Sequence, residues 1–303
     1  MRTLGVMRKR RIEFRLLLLL VAFVFIIGCG TGGSGTTTNF KQGISELQFK
    51  MLPNAPPDKI YQGSGFKIIV EASNLAAYDL KGVEIGIVGL NEKYFALTNR
   101  EQIFPLMAGK SLLTPIGDVQ FLEFSGSSNM LFENANEYTG NYFLKAKYHS
   151  TMEFGDTVCI HPSLYDVADA GCTVENRKSY GGQGAPLAVT DIEEIMYPSG
   201  AGGEVEFRIT LANRGSGMVK SVVLGKAKLG SEELECEFKG KDVSVAEGTV
   251  YTQKSVVLKE DNQGALLICK MFLKDQSSYT TTLGIDFGYD YEWKQQYSLR
   301  LVR

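Results

Sequence analysis

From Leu283 the apolar and polar residues alternate without a miss. Leu283, Ile285, Phe287, Tyr289 and Tyr291 fall on odd positions, and Gly284, Asp286, Gly288, Asp290 and Glu292 on even ones. A period of two over about ten residues predicts a strand with one buried face. Trp293 to Gln296 reads as a turn, and Tyr297, Leu299 and Leu301 as its hairpin return. Leu266–Phe272 and Tyr142–Tyr148 read as the strands that precede the last hairpin of each half. After residue 28 no stretch keeps a helical period convincingly. Leu187 to Met196 comes nearest, yet Val189, Thr190, Ile192 and Ile195 suit a strand as well.

The pattern also repeats on a larger scale. "FKIIVEASNLAAYDLKGV" (Phe66 to Val83) lies over "VEFRITLANRGSGMVKSV" (Val205 to Val222) without a gap. Phe66 meets Val205, Ile68 meets Phe207, Val70 meets Ile209, Asn74 meets Asn213, Lys81 meets Lys220 and Val83 meets Val222. Each copy reads as an alternating strand, an Asn-containing turn and a second apolar strand. The Gly-rich stretch between Tyr180 and Pro186 is the candidate linker between the copies. Cutting there leaves pieces of about 140 and about 118 residues, each an ordinary domain size.

Many short strands, frequent turn residues and no helices predict an all-β chain of antiparallel sandwiches. The expected layout is two tandem Ig-like sandwich domains, residues 40–180 and 187–303, joined by a linker at 181–186. The immunoglobulin arrangement of cysteines bracketing a tryptophan is absent, because the single Trp is Trp293.

One segment does not fit a strand. Leu16 to Ile27 is twelve apolar residues in a row, preceded by Arg2, Arg8, Lys9, Arg10, Arg11 and Arg15 against the single acid Glu13. A spanning helix needs about 20 apolar residues. Basic residues, a short apolar core and small residues in that order make a secretory signal or anchor helix over residues 1–28. Ile26-Ile27-Gly28-Cys29 resembles a lipobox, in which bacterial and some archaeal lipoproteins carry lipid on the cysteine. That resemblance implies lipidation at Cys29, with an uncleaved membrane anchor and plain secretion as the alternatives. Residues 29–39, dominated by Gly, Thr and Ser, read as a flexible tether.

The cysteines agree with export. Of five, Cys29 is set aside by lipid, which leaves Cys159 with Cys172 and Cys236 with Cys269 as two pairs within the two halves. Disulfides persist mainly in oxidising compartments. Removing residues 1–28 leaves 26 basic against 33 acidic residues, a net charge of −7. An acidic surface is repelled by phosphate backbones, so nucleic acid is not an expected partner.

Motifs for chemistry are sparse. Cys159-x-His161 with Cys172 offers three zinc ligands and would need Asp156 or Asp166 as a fourth. A Cys159–Cys172 disulfide is the expected use, with no metal and no cofactor. Met107-Ala-Gly-Lys-Ser111 has the end of a phosphate-binding loop, but Phe104 stands where the first glycine belongs and no helix-forming stretch follows. No catalytic residue is assigned. Among the aromatics of the last 25 residues, Tyr289 and Tyr291 share a face with Ile285 and Phe287 and read as core. Trp293, at the expected turn, is the candidate contact residue.

The stretch "PPDKIYQGSGFKIIVEASNLAAYDLKGVEIGIVGL", the segment "TVCIHP", the junction "GGQGAPLAVTDIEE" and the aromatic ending resemble exported archaeal surface proteins of uncharacterised activity. The resemblance implies tandem Ig-like domains behind an N-terminal anchor and supplies no established activity to carry over. The expected function is a non-catalytic, membrane-anchored cell-surface protein with a structural, protein-binding or glycan-binding role in the envelope. A solute- or glycan-binding lipoprotein serving a transporter is the alternative, and an exported hydrolase comes third.

Overall fold

The computed structural model describes residues 39–162, 171–199, 202–239, 243–245, 254–258, 264–274 and 277–303. The apolar run, Cys29 and most of the tether lie outside them. Among the described residues strand makes up 67%, and no helix is present.

The first half carries β1 (Leu47–Met51), β2 (Ile60–Tyr61), β3 (Gly65–Asn74), β4 (Leu80–Val88), β5 (Phe95–Leu97), β6 (Glu101–Met107), β7 (Val119–Ser128) and β8 (Glu137–Ile160). After it come β9 (Arg177–Ser179), β10 (Leu187–Ser199), β11 (Gly202–Asn213), β12 (Met218–Leu229), β13 (Glu232–Glu233) and β14 (Glu235–Lys239). The chain ends with β15 (Val243–Val245), β16 (Lys254–Leu258), β17 (Ala265–Leu273) and β18 (Tyr279–Val302).

The described strands form three sheets. One runs β1-β3-β7-β5, a second β14-β17-β11-β10-β9, and the third β15-β16-β12-β18-β8-β4-β6, with β13 and β2 attached to β12 and β18. Among the described strands pairing is antiparallel except where Leu301 and Val302 meet Ile60 and Tyr61. The large sheet is built around β8 and β18, each 24 residues long and paired from Tyr279↔Ile160 to Val302↔Glu137.

The alternation seen in the sequence explains how one sheet is covered. Every even residue from Gly140 to Phe154 is buried, while the odd ones between them are exposed or half-buried. On β18 the odd residues Leu283 to Tyr291 are buried, and Leu299 and Leu301 are buried again in the same phase. Unbroken parity over so long a strand leaves one dry and one wet face. Both smaller sheets pack on the dry face. Phe49 of β1 stacks on Trp293 at 4.5 Å, and Phe154 meets Tyr180 beside β9 edge-on at 4.9 Å.

The turn expected at Trp293–Gln296 does not form. β18 passes straight through it. No Gly or Pro interrupts Trp293-Lys294-Gln295-Gln296, and the odd-position phase is the same before and after, so nothing forces the chain to reverse. The strand expected at Leu266–Phe272 forms as β17. It pairs with β11 and β14, not with β18.

Residues 40–303 form one compact unit. Each long strand begins beside one half and ends beside the other. β8 pairs with β4 over Lys145–Ala146 and their neighbours, yet near its end Asp156 accepts hydrogen bonds from Lys178 and Tyr180, next to the sheet of the second half. β18 pairs with β12 over Leu283–Glu292 and then meets β2 of the first half. The candidate linker is packed as well. Gln183 and Ala185 are buried, the Gln183 side chain exchanges two hydrogen bonds with the backbone of Val189, and the Gly184 N–H donates to the Gly43 carbonyl at 2.7 Å.

Both cysteine pairs are disulfide-bonded. Cys236 and Cys269 are directly opposed on β14 and β17, with Cα atoms 4.0 Å apart, so this bridge staples neighbouring strands of one sheet. Cys159 at the end of β8 is joined to Cys172. Two disulfides fit an oxidising compartment.

Candidate functional site

The wet face of the large sheet carries a groove that brings several charged side chains together. It is centred where β4, β8, β18 and β12 lie side by side, and it arises from two bulges. The register of β4 on β8 shifts between Lys81 and Glu84, and that of β12 on β18 between Lys220 and Val223. Gly82 sits in the first bulge at φ 57° and Ser221 in the second at φ 49°. The left-handed conformation is easy for glycine and uncommon for serine. In the repeat alignment Gly82 and Ser221 occupy the same position, so one structural device appears twice.

The two bulges are related by an approximate two-fold axis. Lys81 pairs with His149, Lys220 pairs with Asp290, and His149 pairs with Asp290 across the central ladder. Glu84 with Lys147 corresponds to Val223 with Gly288, and Ile85 with Ala146 to Leu224 with Phe287. Exchanging the halves therefore leaves the His149–Asp290 pair in place. The four residues Lys81, His149, Asp290 and Lys220 form a row across four strands.

A groove lies along this row. One stretch, of about 380 Å³, is bounded by the two bulges, Lys147, His149, Asp290 and Glu292. An adjoining stretch of about 410 Å³ shares Lys147 and Glu292 and continues past Lys145, Lys294, Phe143 and Trp293. Five lysines line the groove against two carboxylates, in a chain whose residues after 28 are acidic overall.

Both carboxylates are engaged. The His149 Nδ1 lies 3.1 Å from Asp290 Oδ1. Lys220 Nζ donates to Glu292 Oε2, and Lys147 Nζ lies 3.6 Å from Glu292 Oε1. The Lys220 hydrogen bond, against a smaller opposing effect of burial, holds the Glu292 carboxyl below its ordinary range. A carboxylate kept ionised in this way cannot serve as a proton donor near neutral pH. The lysines are separate point cations on flexible stems, suited to a ligand bearing several anionic groups.

Trp293 lies between Glu292 and Lys294 along this groove, half-buried, with its ring on Phe49. Tyr289 and Tyr291 are in the core, and the Tyr291 hydroxyl donates to Glu46 and accepts from the Gly217 N–H. The sulfurs of Cys159 and Cys172 are bonded to each other, and His161 Nδ1 pairs with the Ser278 hydroxyl, so these three do not converge as ligands. Asp156 is taken up by Lys178 and Tyr180, and Asp166 lies outside the described residues. Met107–Ser111 ends β6 and enters a turn in which the Gly109 N–H donates to Asp79 at 2.9 Å. Cys29 also lies outside the described residues.

Lys81, Lys147, His149 and Lys220 were not singled out from sequence, although the repeat does place Lys81 over Lys220. No known family model and no curated protein matches the chain.

Proposed function

We propose that this is a non-catalytic cell-surface protein, held to the membrane through residues 1–29, that binds an anionic envelope polymer along the wet face of its large sheet. The observation that carries the reading is the five-lysine groove in an otherwise acidic chain. An ectodomain that repels polyanions in general would keep one place for them, which favours specific over diffuse binding. The open sheet face suits an extended chain of glycan or protein better than a small enclosed solute. The disulfides, the apolar run and the lipobox-like Cys29 support a location outside the cytoplasm. The order β1-β3-β7-β5 beside β6-β4-β8, and β10-β11-β17-β14 beside β16-β12-β18, supports two Ig-like sandwiches.

The test is titration calorimetry with a uronic-acid polysaccharide and with a neutral polysaccharide of similar length. Binding to the acidic polymer only, weakened about tenfold or more by Lys147→Glu with Lys220→Glu, is expected. Equal affinity for both polymers, or no effect of the charge reversals, would remove this reading.

A further inference from the structure

The turn from Gly109 to Gly117 presents three aliphatic side chains to solvent. Leu112, Leu113 and Ile116 are 81%, 94% and 72% exposed, above every other large apolar residue in the described part of the chain. Single exposed leucines need no explanation, but three in five residues on one turn do.

The turn is firmly built. The Ser111 N–H donates to the Thr114 carbonyl at 3.1 Å, and the Gly117 N–H donates to the same carbonyl at 3.0 Å. The N–H groups of Leu113 and Thr114 donate to the Ser111 hydroxyl at 3.2 and 3.1 Å, and the Thr114 hydroxyl donates to the Gly109 carbonyl at 2.9 Å. The N–H groups of Ser111, Leu113, Thr114 and Gly117 are thus all paired within the turn, which fixes its shape and leaves the apolar side chains outside. Such a tip suits the interfacial zone of a bilayer, where aliphatic side chains reach the acyl boundary while the remaining carbonyls stay among hydrated headgroups.

Its place in the fold indicates which medium. The Lys110 N–H donates to the Ala76 carbonyl at 2.8 Å, the Ala77 N–H to Gly184 at 2.8 Å, and the Gly184 N–H to Gly43 at 2.7 Å. Three backbone hydrogen bonds therefore lead from the turn to the residues with which the folded unit starts. Before that start the sequence carries the ten residues Gly30–Asn39 and the apolar run. A flexible Gly/Ser/Thr chain of that length spans about 16–19 Å on average. A tip of three aliphatic side chains is far smaller than the roughly 1,200 Å² that a stable protein interface buries, which disfavours a second copy as its occupant.

We propose that the Leu112–Ile116 turn inserts into the bilayer interface beside the anchor, so that tether and tip together orient the ectodomain on the membrane. The inference rests on the membrane-anchored reading above. Lys110 at the root of the turn is placed to meet lipid phosphate while the aliphatic tip sits among the acyl chains.

The experiment uses the full chain carrying Leu113→Trp, with vesicles of phosphatidylcholine and a minority of phosphatidylglycerol. Flotation reads the anchor. Quenching of the added indole by lipids brominated near the headgroup end, relative to the wild type with its single Trp293, reads the tip. Flotation with quenching supports both proposals, and flotation without quenching overturns the tip while the anchor stands. Quenching at high vesicle concentration without flotation supports the tip and overturns the anchor. Neither signal overturns both. As a second measurement, residues 40–303, a compact unit with its own core, should partition onto the vesicles about tenfold less when Leu112→Ser, Leu113→Ser and Ile116→Ser are combined. An unchanged partition coefficient would also overturn the tip.

Discussion

The Asn74 side chain donates to the Tyr78 carbonyl and accepts from the Ala76 N–H, and Asn213 makes the same two bonds with Gly217 and Gly215. Both amides are buried, at 0% and 4% exposure. Each holds the corner at which the chain leaves a small sheet and enters the large one, from β3 to β4 and from β11 to β12. Asn74 has an additional bond, to the Met107 carbonyl at 3.0 Å. Replacing either residue by Ala would leave buried backbone groups without partners. Asn74→Ala should destabilise by about 2–4 kcal/mol and Asn213→Ala by about 1–3 kcal/mol, read from urea unfolding. A larger loss at Asn213 than at Asn74 would contradict this account.

Because β8 and β18 pair over their whole length, the halves should unfold together. Calorimetry of residues 40–303 is expected to show one transition whose calorimetric and van't Hoff enthalpies agree. Two resolved transitions would mean that the shared ladder contributes little.

Residues 187–303 alone would expose the β18 edge that β8 covers. The two-fold relation through His149 and Asp290 means that a second β18 can take the place of β8 in antiparallel pairing. The isolated segment is expected to be a dimer by light scattering, and a stable folded monomer would refute the prediction.

Glu194 provides a pH signature. It is 6% exposed on β10, its Oε1 has no hydrogen-bond partner among the described residues, and burial raises its pKa to about 7, with Lys178 opposing the shift. A carboxyl raised in the folded state contributes stability below its unfolded pKa of about 4.5 and loses that contribution as pH rises through about 7. Glu194→Gln should therefore matter little at pH 4 and stabilise by roughly 1–2 kcal/mol at pH 8. Denaturant midpoints at the two pH values check both the sign and the window.

The Cys236–Cys269 bridge closes a separation of 33 residues, and its removal by paired Ala substitutions should destabilise by about 3–4 kcal/mol. A change well under 1 kcal/mol, with the fold intact, would mean that the β14–β17 pairing already holds this region without the bond.

The sequence by itself determined the strands, because a half-buried strand must alternate. That is why Leu283–Tyr291 and the copies at Phe66 and Val205 were legible. The cysteine pairs followed from parity and from their positions within the two halves, and the structure contains both bonds. Local signals ended at the turns. Trp293–Gln296 has polar residues in it, and only pairing with Phe143–Ala146 keeps that segment extended.

Tertiary structure alone decided that the halves share a sheet. Which strand lies beside β8 is a long-range choice, and residues 137–160 contain nothing that specifies residues 279–302 as their partner. The groove depends on the same choice. Lys81, His149, Asp290 and Lys220 are distant in sequence and form a row only after four strands are laid side by side and two bulges aligned. Alternation fixes which face a side chain takes, but the pairing of strands fixes its neighbours on that face.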